Sequence, residues 1–324
     1  MKRLAAGLAL VAATIVLASD RSRGPRDDPT PPLSAAVEQR LGNLLGSTEG
    51  CALRSPVSQL GFVLDGCLLL ASDDGTRADP GRFWGGLDCE HEARHTHQRV
   101  GGDPAPRADG SSQADRAFRS LSVIDGDDVF GERCELGENS RGGPTAFYRE
   151  GNRRATYVSV RLPRGFQLGT SRWQSVIQMK QSQPADNGGG TPVLSLKAFE
   201  GRWQLFHSAR GPTEVDLPIW SAPARTGTWT RFAFDVTYSH DPESGSVKVY
   251  ADLNGDGDFE DGEERSPRLR TNTLKTEVEG SEDDGLSAGE PVPSHLRVGI
   301  YHHPAIDCGR GCRVDVDNVQ VLAP

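Results

Sequence analysis

Beyond residue 118 the sequence is dominated by short runs in which apolar and polar residues alternate. These runs are FRSLSVI, ATYVSVRL, WQSVIQMK, VLSLKAF, WQLFHSA, WTRFAFDVTYS, SVKVYADL, HLRVGIYHH and RVDVDNVQVL. Alternation is typical of β-strands with one buried face, and Glu200-Gly201 and Glu243-Ser244-Gly245 are typical of hairpin turns. Because no helical period interrupts the series, the sequence predicts an all-β fold, in which two antiparallel sheets form a sandwich or jelly roll.

The amino terminus has the pattern of a secretory signal peptide. Lys2 and Arg3 precede an apolar run over residues 4–17 that is too short for a stable membrane anchor. Val16 and Ala18 then supply the small residues of a cleavage site, so we expect cutting after Ala18. An uncleaved anchor is the alternative. The mature protein is expected to be secreted, to the periplasm or the medium, with no membrane contact after cleavage.

Composition divides the rest of the chain into three parts. Residues 19–33 are polar and Pro-rich and are predicted to be a disordered linker. Residues 34–81 form an N-terminal extension, which is predicted to be partly helical because residues 35–45 carry apolar side chains near helical spacing. Residues 82–324 are long enough for one large β-domain.

Cysteine content agrees with export, because disulfides persist in oxidising compartments. The six cysteines form an even set: Cys51, Cys67, Cys89, Cys134, Cys308 and Cys312. Cys308 and Cys312 are close enough to bridge a tight loop, and Cys51 with Cys67 is a local pair, which leaves Cys89 with Cys134. The sequence alone does not determine this connectivity. A metal site competes with this interpretation, but the CxxC spacing of a zinc site is missing.

Net charge restricts the partners. The formal charge of −9 argues against nucleic acid, whose binding proteins carry a basic surface. An anionic ligand would need a local basic cleft, because the field of the whole molecule would repel it. We expect the protein to act as a monomer.

Three predicted strands place polar side chains together on one face, since residues two apart share a face of a strand. Arg133 and Glu135 project together, while Cys134 and Leu136 point to the core. Gln178 and Lys180 share a face in the same way, and the opposite face is assigned to Trp173, Ile177 and Met179. In the last of these strands Val298 and Ile300 oppose the set Arg297, Gly299, Tyr301 and His303. Taken singly, each polar face is also consistent with a solvated sheet surface.

In combination, these strands resemble the signature strands of β-jelly-roll polysaccharide lyases: the alginate lyases, the heparin lyase I-like enzymes and the glucuronan lyases. The Arg-x-Glu-Leu pattern of alginate lyases is similar to residues 133–136, and their Gln-Ile/Val-His strand is similar to residues 178–180. Their Tyr-Phe-Lys-Ala-Gly-Val/Ile-Tyr-Asn-Gln strand is similar to residues 295–303. The similarity runs from about Arg82 to the C-terminus, and it implies a concanavalin-like jelly roll.

Two positions depart from the alginate-lyase pattern. Lys180 stands where that strand carries its catalytic His, and His303 replaces the Gln of the last motif. The resemblance is therefore stronger to the heparin lyase I-like and glucuronan branch, and the identity of the general base stays open.

The resemblance implies a secreted lyase that cleaves an acidic, uronic-acid-containing polysaccharide by β-elimination. Such an enzyme neutralises the uronate carboxylate, removes the C5 proton and protonates the leaving oxygen. Arg133 and Gln178 fit neutralisation, and Tyr301 fits proton transfer, with Lys180 assisting it or acting itself. His303 and His207 are further candidate bases. Glu135 is expected to orient Arg133, and Arg297 to contact substrate. The polymer, its sulfation, and endo or exo action are not determined by the sequence.

Other functions are weaker alternatives. A non-catalytic carbohydrate-binding module on the same fold is the main one. A glycoside hydrolase needs paired carboxylates, and around Glu214-Val215-Asp216 the last acidic position is occupied by Ile219. The zinc-protease pattern His91-Glu92-Ala93-Arg94-His95 needs a helix, which the flanking glycines disfavour.

A separate acidic motif has the spacing of a calcium loop. Its oxygen ligands would come from Asp252, Asn254, Asp256, Asp258 and Glu263, and Gly257 stands at the turn position. The flanking sequence is strand-like, so no EF-hand helix pair is expected. We predict a structural Ca2+ ion; an acidic turn without metal is the alternative.

Overall fold

The structure is a computed structural model. It describes residues 68–73, 84, 86–89, 96–102, 104–105, 117–123, 132–137, 148–181, 191–209, 215–256, 259, 261–277, 286–308 and 312–323. The predicted signal peptide, the linker, the helical part of the N-terminal extension and the sequence His91–His95 lie outside these residues. Within them, no helix is long and apolar enough to cross a membrane.

Apart from the helical backbone at Trp84, every secondary-structure element of the described residues is a β-strand. The first seven are β1 (Leu68–Asp73), β2 (Leu87–Cys89), β3 (Thr96–Gly101), β4 (Ala117–Val123), β5 (Glu132–Leu136), β6 (Arg153–Arg161) and β7 (Gln174–Gln181). The others are β8 (Leu194–Phe199), β9 (Arg202–Ala209), β10 (Val215–Pro223), β11 (Trp229–Thr237), β12 (Ser246–Asp252), β13 (Leu269–Arg270), β14 (Ser294–His302) and β15 (Cys312–Ala323).

The strands form two antiparallel sheets. An eight-stranded sheet has the order β13-β12-β11-β6-β15-β4-β3, with β1 also paired to β15. A seven-stranded sheet has the order β10-β9-β8-β7-β14-β5-β2. Strands that are far apart in sequence are neighbours in both sheets, as expected for a jelly roll. The predicted fold class is therefore confirmed.

The two sheets bury their apolar faces against each other in one core. Trp203 of β9 packs edge-on against Phe232 of β11, with ring centroids 4.9 Å apart. Cys134, Leu136, Val298 and Ile300 are completely buried on the inner face of the seven-stranded sheet, as their alternation predicted. Because every second residue of β5 and β14 is held in the core, the residues between them must face outward.

The predicted hairpin at Glu200-Gly201 connects β8 and β9. Both residues have positive φ angles, 52° for Glu200 and 75° for Gly201. A two-residue turn with positive φ at both positions matches the right-handed twist of the strands that it joins. This tight turn keeps β8 and β9 in register, with Leu196 opposite Leu205 in the core.

Five strands were not predicted from the sequence: β1, β2, β3, β10 and the two-residue β13. Strands β1, β2 and β3 are short or irregular in sequence, and β10 contains two prolines. Since β1 pairs with β15, the sheet begins inside the segment that the sequence assigned to the N-terminal extension. β10 is an edge strand, where a proline costs no ladder hydrogen bond.

Two disulfides lie within the described residues. Cys89 of β2 is bonded to Cys134 of β5, and Cys308 is bonded to Cys312 in the loop between β14 and β15. The predicted partners Cys51 and Cys67 lie outside the described residues. The Cys89–Cys134 bond joins directly paired residues, so it fastens the edge strand β2 to the sheet.

Candidate functional site

The outer face of the seven-stranded sheet carries a continuous set of polar side chains. From β2 to β8, the members used below are Asp88, Arg133, Glu135, His295, Arg297, Tyr301, Ser175, Gln178, Lys180, Ser195 and Lys197. Several of them are almost fully buried although they lie outside the apolar core: Gln178 is 2% exposed and Glu135 is 0% exposed. Burying polar groups in this way requires that they satisfy one another.

Glu135 and Gln178 meet across the intervening strand β14. The Gln178 side-chain amide donates a hydrogen bond to Glu135 Oε1. Glu135 is paired with Gly299 of β14, which has no side chain to separate the two groups. A Cβ at Gly299 would lie 2.2 Å from the carbonyl oxygen of Cys134, so β5 and β14 approach too closely there for any other residue. Glycine therefore makes this contact possible.

Arg297 is the cation at the centre of the network, and its side chain is 5% exposed. Its Nε donates to His295 Nε2 at 2.8 Å, and its Nη1 pairs with Asp88. The same nitrogen lies 3.6 Å from Glu135 Oε2. Glu135 therefore orients Gln178 and balances the charge of Arg297. The charge of Arg133 also acts on Glu135, and the orientation of Arg133 by Glu135 stays a prediction.

Arg133 and Tyr301 form the second part of the site. They are directly paired between β5 and β14, and the Arg133 guanidinium lies 4.4 Å from the centre of the Tyr301 ring. Arg133 Nη1 is also 3.6 Å from Asp88 Oδ2. Asp88 thus stands between the two guanidiniums of Arg133 and Arg297 and holds both on this face.

Trp173 lies beside Tyr301, with ring centroids 4.9 Å apart, and beside His303 at 5.8 Å. Strict alternation predicted Trp173 on the opposite face with Ile177 and Met179. A register shift in β7 between Ser175 and Ile177 explains the difference. One extra residue in a strand reverses the face of everything before it, so Trp173 joins Tyr301.

Lys180 and His207, two other candidate bases, lie on opposite faces of the seven-stranded sheet. Lys180 is paired with His295 and lies on the site face, half-buried. His207 is paired with the core residue Leu194 and faces inward, and its Nε2 is 2.8 Å from the carbonyl oxygen of Asn272. The structure therefore separates His207 from the other predicted catalytic residues, and the prediction of His207 as a base is corrected.

Burial shifts the pKa values of Glu135 and His295, two of the titratable groups beside Arg297. Burial raises the pKa of the Glu135 carboxyl above 4.5, and the positive charges of Arg297 and Arg133 act against this rise. Burial, together with the charges of Arg297 and Lys180, lowers the pKa of His295 well below 6.5. His295 is therefore neutral at pH 7, and its Nε2 accepts from Arg297, so its proton is on Nδ1.

Asp88 and His295 are site residues that the sequence analysis did not assign. His295 is two residues before Arg297 on an already predicted strand, so the period of two was sufficient to find it. Asp88 belongs to the three-residue strand β2, and nothing in its local sequence indicates that it pairs with β5.

The acidic loop after β12 brings together only some of the predicted calcium ligands. Asp252 binds Arg231 through Oδ2 at 2.7 Å and accepts from the Gly255 amide through Oδ1. Asn254 donates to Asp256 at 2.7 Å and to Asp261 at 2.9 Å. Asp258 lies outside the described residues.

At the end of this loop two neighbouring glutamates have different roles. Glu263 has a 55% exposed side chain and pairs with Arg202 at 3.3 Å. Glu264 is 1% exposed and accepts from the Leu253 amide at 2.8 Å. Burial raises the pKa of Glu264, and the charges of Asp252 and Asp261 raise it further. Glu264, and not Glu263, is therefore the glutamate that faces the other acidic groups.

A second group of ligand-type atoms lies behind Tyr301. Among the described residues, His302, Cys308 and Cys312 have ligand atoms within 4.8 Å of one another. The two cysteines are joined as a disulfide, and His302 Nε2 is 3.2 Å from Cys308 Sγ. With both sulfurs bonded to each other, this group packs the loop against β14 and does not form a metal site.

The lowered pKa of His295 makes stability depend on pH. Below pH 6.5 the unfolded chain protonates this residue while the folded protein does not, so stability should fall as pH falls, by up to about 1.4 kcal/mol per pH unit. Replacing His295 with Gln keeps an acceptor for Arg297 and removes the titration. Thermal unfolding between pH 7 and 5 should be less pH-dependent in H295Q than in the unaltered protein.

The exposed His240 supplies the control for this experiment. H240Q should retain the part of the pH dependence that comes from His295, because it removes only the exposed pair of His240 with Glu150. The raised pKa of Glu135 contributes to the pH dependence with the opposite sign, so only the difference between each variant and the unaltered protein is compared. An unchanged slope in H295Q would show that His295 is protonated in the folded protein.

Comparisons with known proteins identify the family of this chain. The family model described as polysaccharide lyase matches residues 84–319. Endo-β-1,4-glucuronan lyase from the fungus Trichoderma reesei has 15% sequence identity and a TM-score of 0.55, and the match covers 79% of this chain and 96% of that one. A PL-14 alginate lyase from Aplysia kurodai has 9% identity and a TM-score of 0.47, covering 79% and 100%.

No curated protein matches the sequence significantly. The likeness to the glucuronan lyase structure supports the jelly-roll fold. The family match includes strands β2 to β14 in full and every residue of the site described above, from Asp88 to His303. The chain therefore belongs to the polysaccharide lyase family.

Proposed function

We propose that this lyase cleaves a uronic-acid-containing polysaccharide by β-elimination at the outer face of the seven-stranded sheet. The observation that carries the proposal is that Gln178, Arg133 and Tyr301 share this face. Gln178 is oriented by the buried Glu135, and Arg133 lies over the Tyr301 ring. These groups supply the two things that the reaction needs, a neutralised carboxylate and a proton-transfer group.

Neutralisation is assigned to Gln178 and Arg133. The uronate carboxylate lies next to the C5 proton, and its negative charge opposes removal of that proton. Gln178 uses one amide hydrogen for Glu135, and its second hydrogen is available to a carboxylate oxygen. Arg133 adds a charge-assisted hydrogen bond, which is stronger in a partly desolvated site. Arg297 already binds His295 through Nε and Asp88 through Nη1, so its contribution is mainly to the positive potential.

Proton transfer is assigned to Tyr301. Its hydroxyl removes the C5 proton once ionised, the bond from C4 to the linking oxygen breaks, and a double bond forms between C4 and C5. The departing oxygen takes up a proton, and no water is consumed. His303 packs on the same Trp173 ring as Tyr301 and is the candidate for delivering that proton. Lys180 lies on the same face but is paired with His295, six residues along β14 from Tyr301. Trp173 packs against both Tyr301 and His303 and restricts their movement.

The Y301F variant, which lacks the Tyr301 hydroxyl, tests the assignment of proton transfer to Tyr301. Y301F keeps the ring beneath Arg133, so the fold should be unchanged and the turnover number should fall by about 10²- to 10⁴-fold, the usual contribution of acid–base catalysis. The assay is ultraviolet absorbance of the unsaturated uronate end, measured over alginate, glucuronan, heparin, heparan sulfate, chondroitin and hyaluronan.

Tyr250 of β12 is the matched control, because it lies on the other sheet beneath Lys248. Y250F should keep full activity. Full activity in Y301F would transfer the role to Lys180 or His303. If the unaltered protein produced neither absorbance nor shorter chains from any of these polymers, while still binding one of them, it would be a carbohydrate-binding module.

A structural calcium ion is the second part of the proposal. The loop contains carboxylate and amide oxygens from Asp252, Asn254 and Asp256. Asp261 and Glu264 add further carboxylate oxygens, and oxygen is the ligand atom that Ca2+ prefers. Burial is the main cause of the raised pKa of Glu264, and the negative charges of Asp252 and Asp261 raise it further; a cation would relieve that repulsion. The ion would stabilise the loop between β12 and β13 and would not take part in elimination.

Binding to the folded state alone stabilises a protein by about 2.7 kcal/mol when the free ion is at 100 times its Kd. Chelation should therefore lower the melting temperature, and added Ca2+ should restore it. D256A should abolish the response. E263Q should keep it, because Glu263 faces Arg202. A melting temperature indifferent to chelator and Ca2+ would identify the loop as an acidic turn.

A further inference from the structure

The polar face of the seven-stranded sheet continues beyond the reaction centre, over β8, β9 and β10. Tyr301 is paired with Ser175 of β7, and Ser175 is paired with Lys197 of β8. Lys197 is in turn paired with Gln204 of β9. The Ser175 and Ser195 hydroxyls are 3.1 Å apart, so the two strands present their polar side chains on the same face. A row of polar residues therefore crosses the sheet perpendicular to the strands.

Lys197 is the cation of this extension. Its side chain is 10% exposed, its Nζ pairs with Asp216 of β10, and it lies 4.3 Å from the centre of the Phe206 ring. Phe206 is itself stacked on Phe199 with centroids 5.9 Å apart. A cation held against an aromatic surface, with hydrogen-bonding groups around it, is a combination that binds acidic sugars.

The spacing from the reaction centre matches a polymer lying across the strands. Neighbouring strands are about 4.8 Å apart, so Lys197 stands roughly 10 Å from Tyr301, a distance of about two pyranose units. An ammonium has three donor hydrogens, and Asp216 occupies one of them. The others remain to bind the carboxylate of a second uronate.

We propose that Lys197, over Phe206, forms a remote subsite for a carboxylate of the same polysaccharide chain, about two sugars from the bond that is cleaved. This inference rests on the proposed function. Asp216 holds the ammonium in position, and it also opposes an incoming carboxylate by its own charge. The subsite therefore binds a long acidic chain and contributes nothing to the cleavage of one too short to reach it.

Three variants test the subsite. K197Q removes the charge and should raise KM for the polymer roughly tenfold or more with kcat within about twofold, because the lost interaction is equal in ground and transition states. D216N removes the competing carboxylate and should lower KM. K197R keeps the charge and should have a KM near that of the unaltered enzyme. The effect of K197Q should shrink at high salt.

Lys248 supplies the matched control, since it also lies over an aromatic ring, Tyr250 at 4.7 Å, but on the other sheet. K248Q should leave KM and kcat unchanged. If Lys197 and Asp216 were only a structural ion pair, K197Q and D216N would both lower the melting temperature and leave KM unaltered, which would overturn the proposal. A higher KM in K197Q together with a lower KM in D216N has no such explanation.

Direct binding separates this proposal from the proposed function. Calorimetric titration of K197Q and the unaltered protein with an acidic polymer measures the subsite whether or not elimination occurs. A weaker Kd in K197Q supports the subsite even if no polymer is cleaved. An unchanged Kd together with unchanged KM refutes the subsite, although the protein could still be an active lyase.

Discussion

The carboxylate of Glu135 is the constraint around which the site is arranged. It is completely buried, and burial of an ionised carboxylate is costly unless cations and hydrogen bonds compensate. The guanidinium of Arg297 and the amide of Gln178 supply that compensation. Arg297 in turn requires Asp88 and His295, so a single buried charge determines the positions of side chains on four strands.

Asp88 extends this arrangement to Arg133 and Tyr301. It stands on a three-residue edge strand, which few backbone hydrogen bonds hold in place. The neighbouring disulfide between Cys89 and Cys134 fastens that strand to β5. The bond thus supports the position of a carboxylate shared by both guanidiniums, in addition to limiting the entropy of the unfolded chain. Two disulfides in the described residues also agree with an exported protein.

The fold was predictable because period-two alternation directly reflects burial on one face of a sheet. The same reasoning predicted that Arg133, Glu135, Gln178 and Tyr301 face outward. It was insufficient where the period breaks: the register shift in β7 moves Trp173 to the other face. His207 was assigned to the site although Trp203 and Leu205, at two-residue spacing before it, already indicated an inward face.

The contacts between strands could not be predicted from the sequence. The register of strands far apart in sequence determines which residue of β5 lies opposite Gly299. The same register places Asp88 and Lys197 on the polar surface that contains Tyr301. The loop after β12 shows a related limit, since its motif spacing selects Glu263 and the backbone turns Glu264 inward.

The central claim is that the uronate carboxylate is bound by the groups that Glu135 organises. A crystal structure of Y301F with an acidic oligosaccharide tests it most directly. We predict that one carboxylate lies about 2.7–3.2 Å from the Gln178 amide nitrogen and from a guanidinium nitrogen of Arg133, with the chain crossing β14, β7 and β8. An oligosaccharide bound on the eight-stranded sheet, or one whose carboxylates all avoid Gln178, would contradict the account.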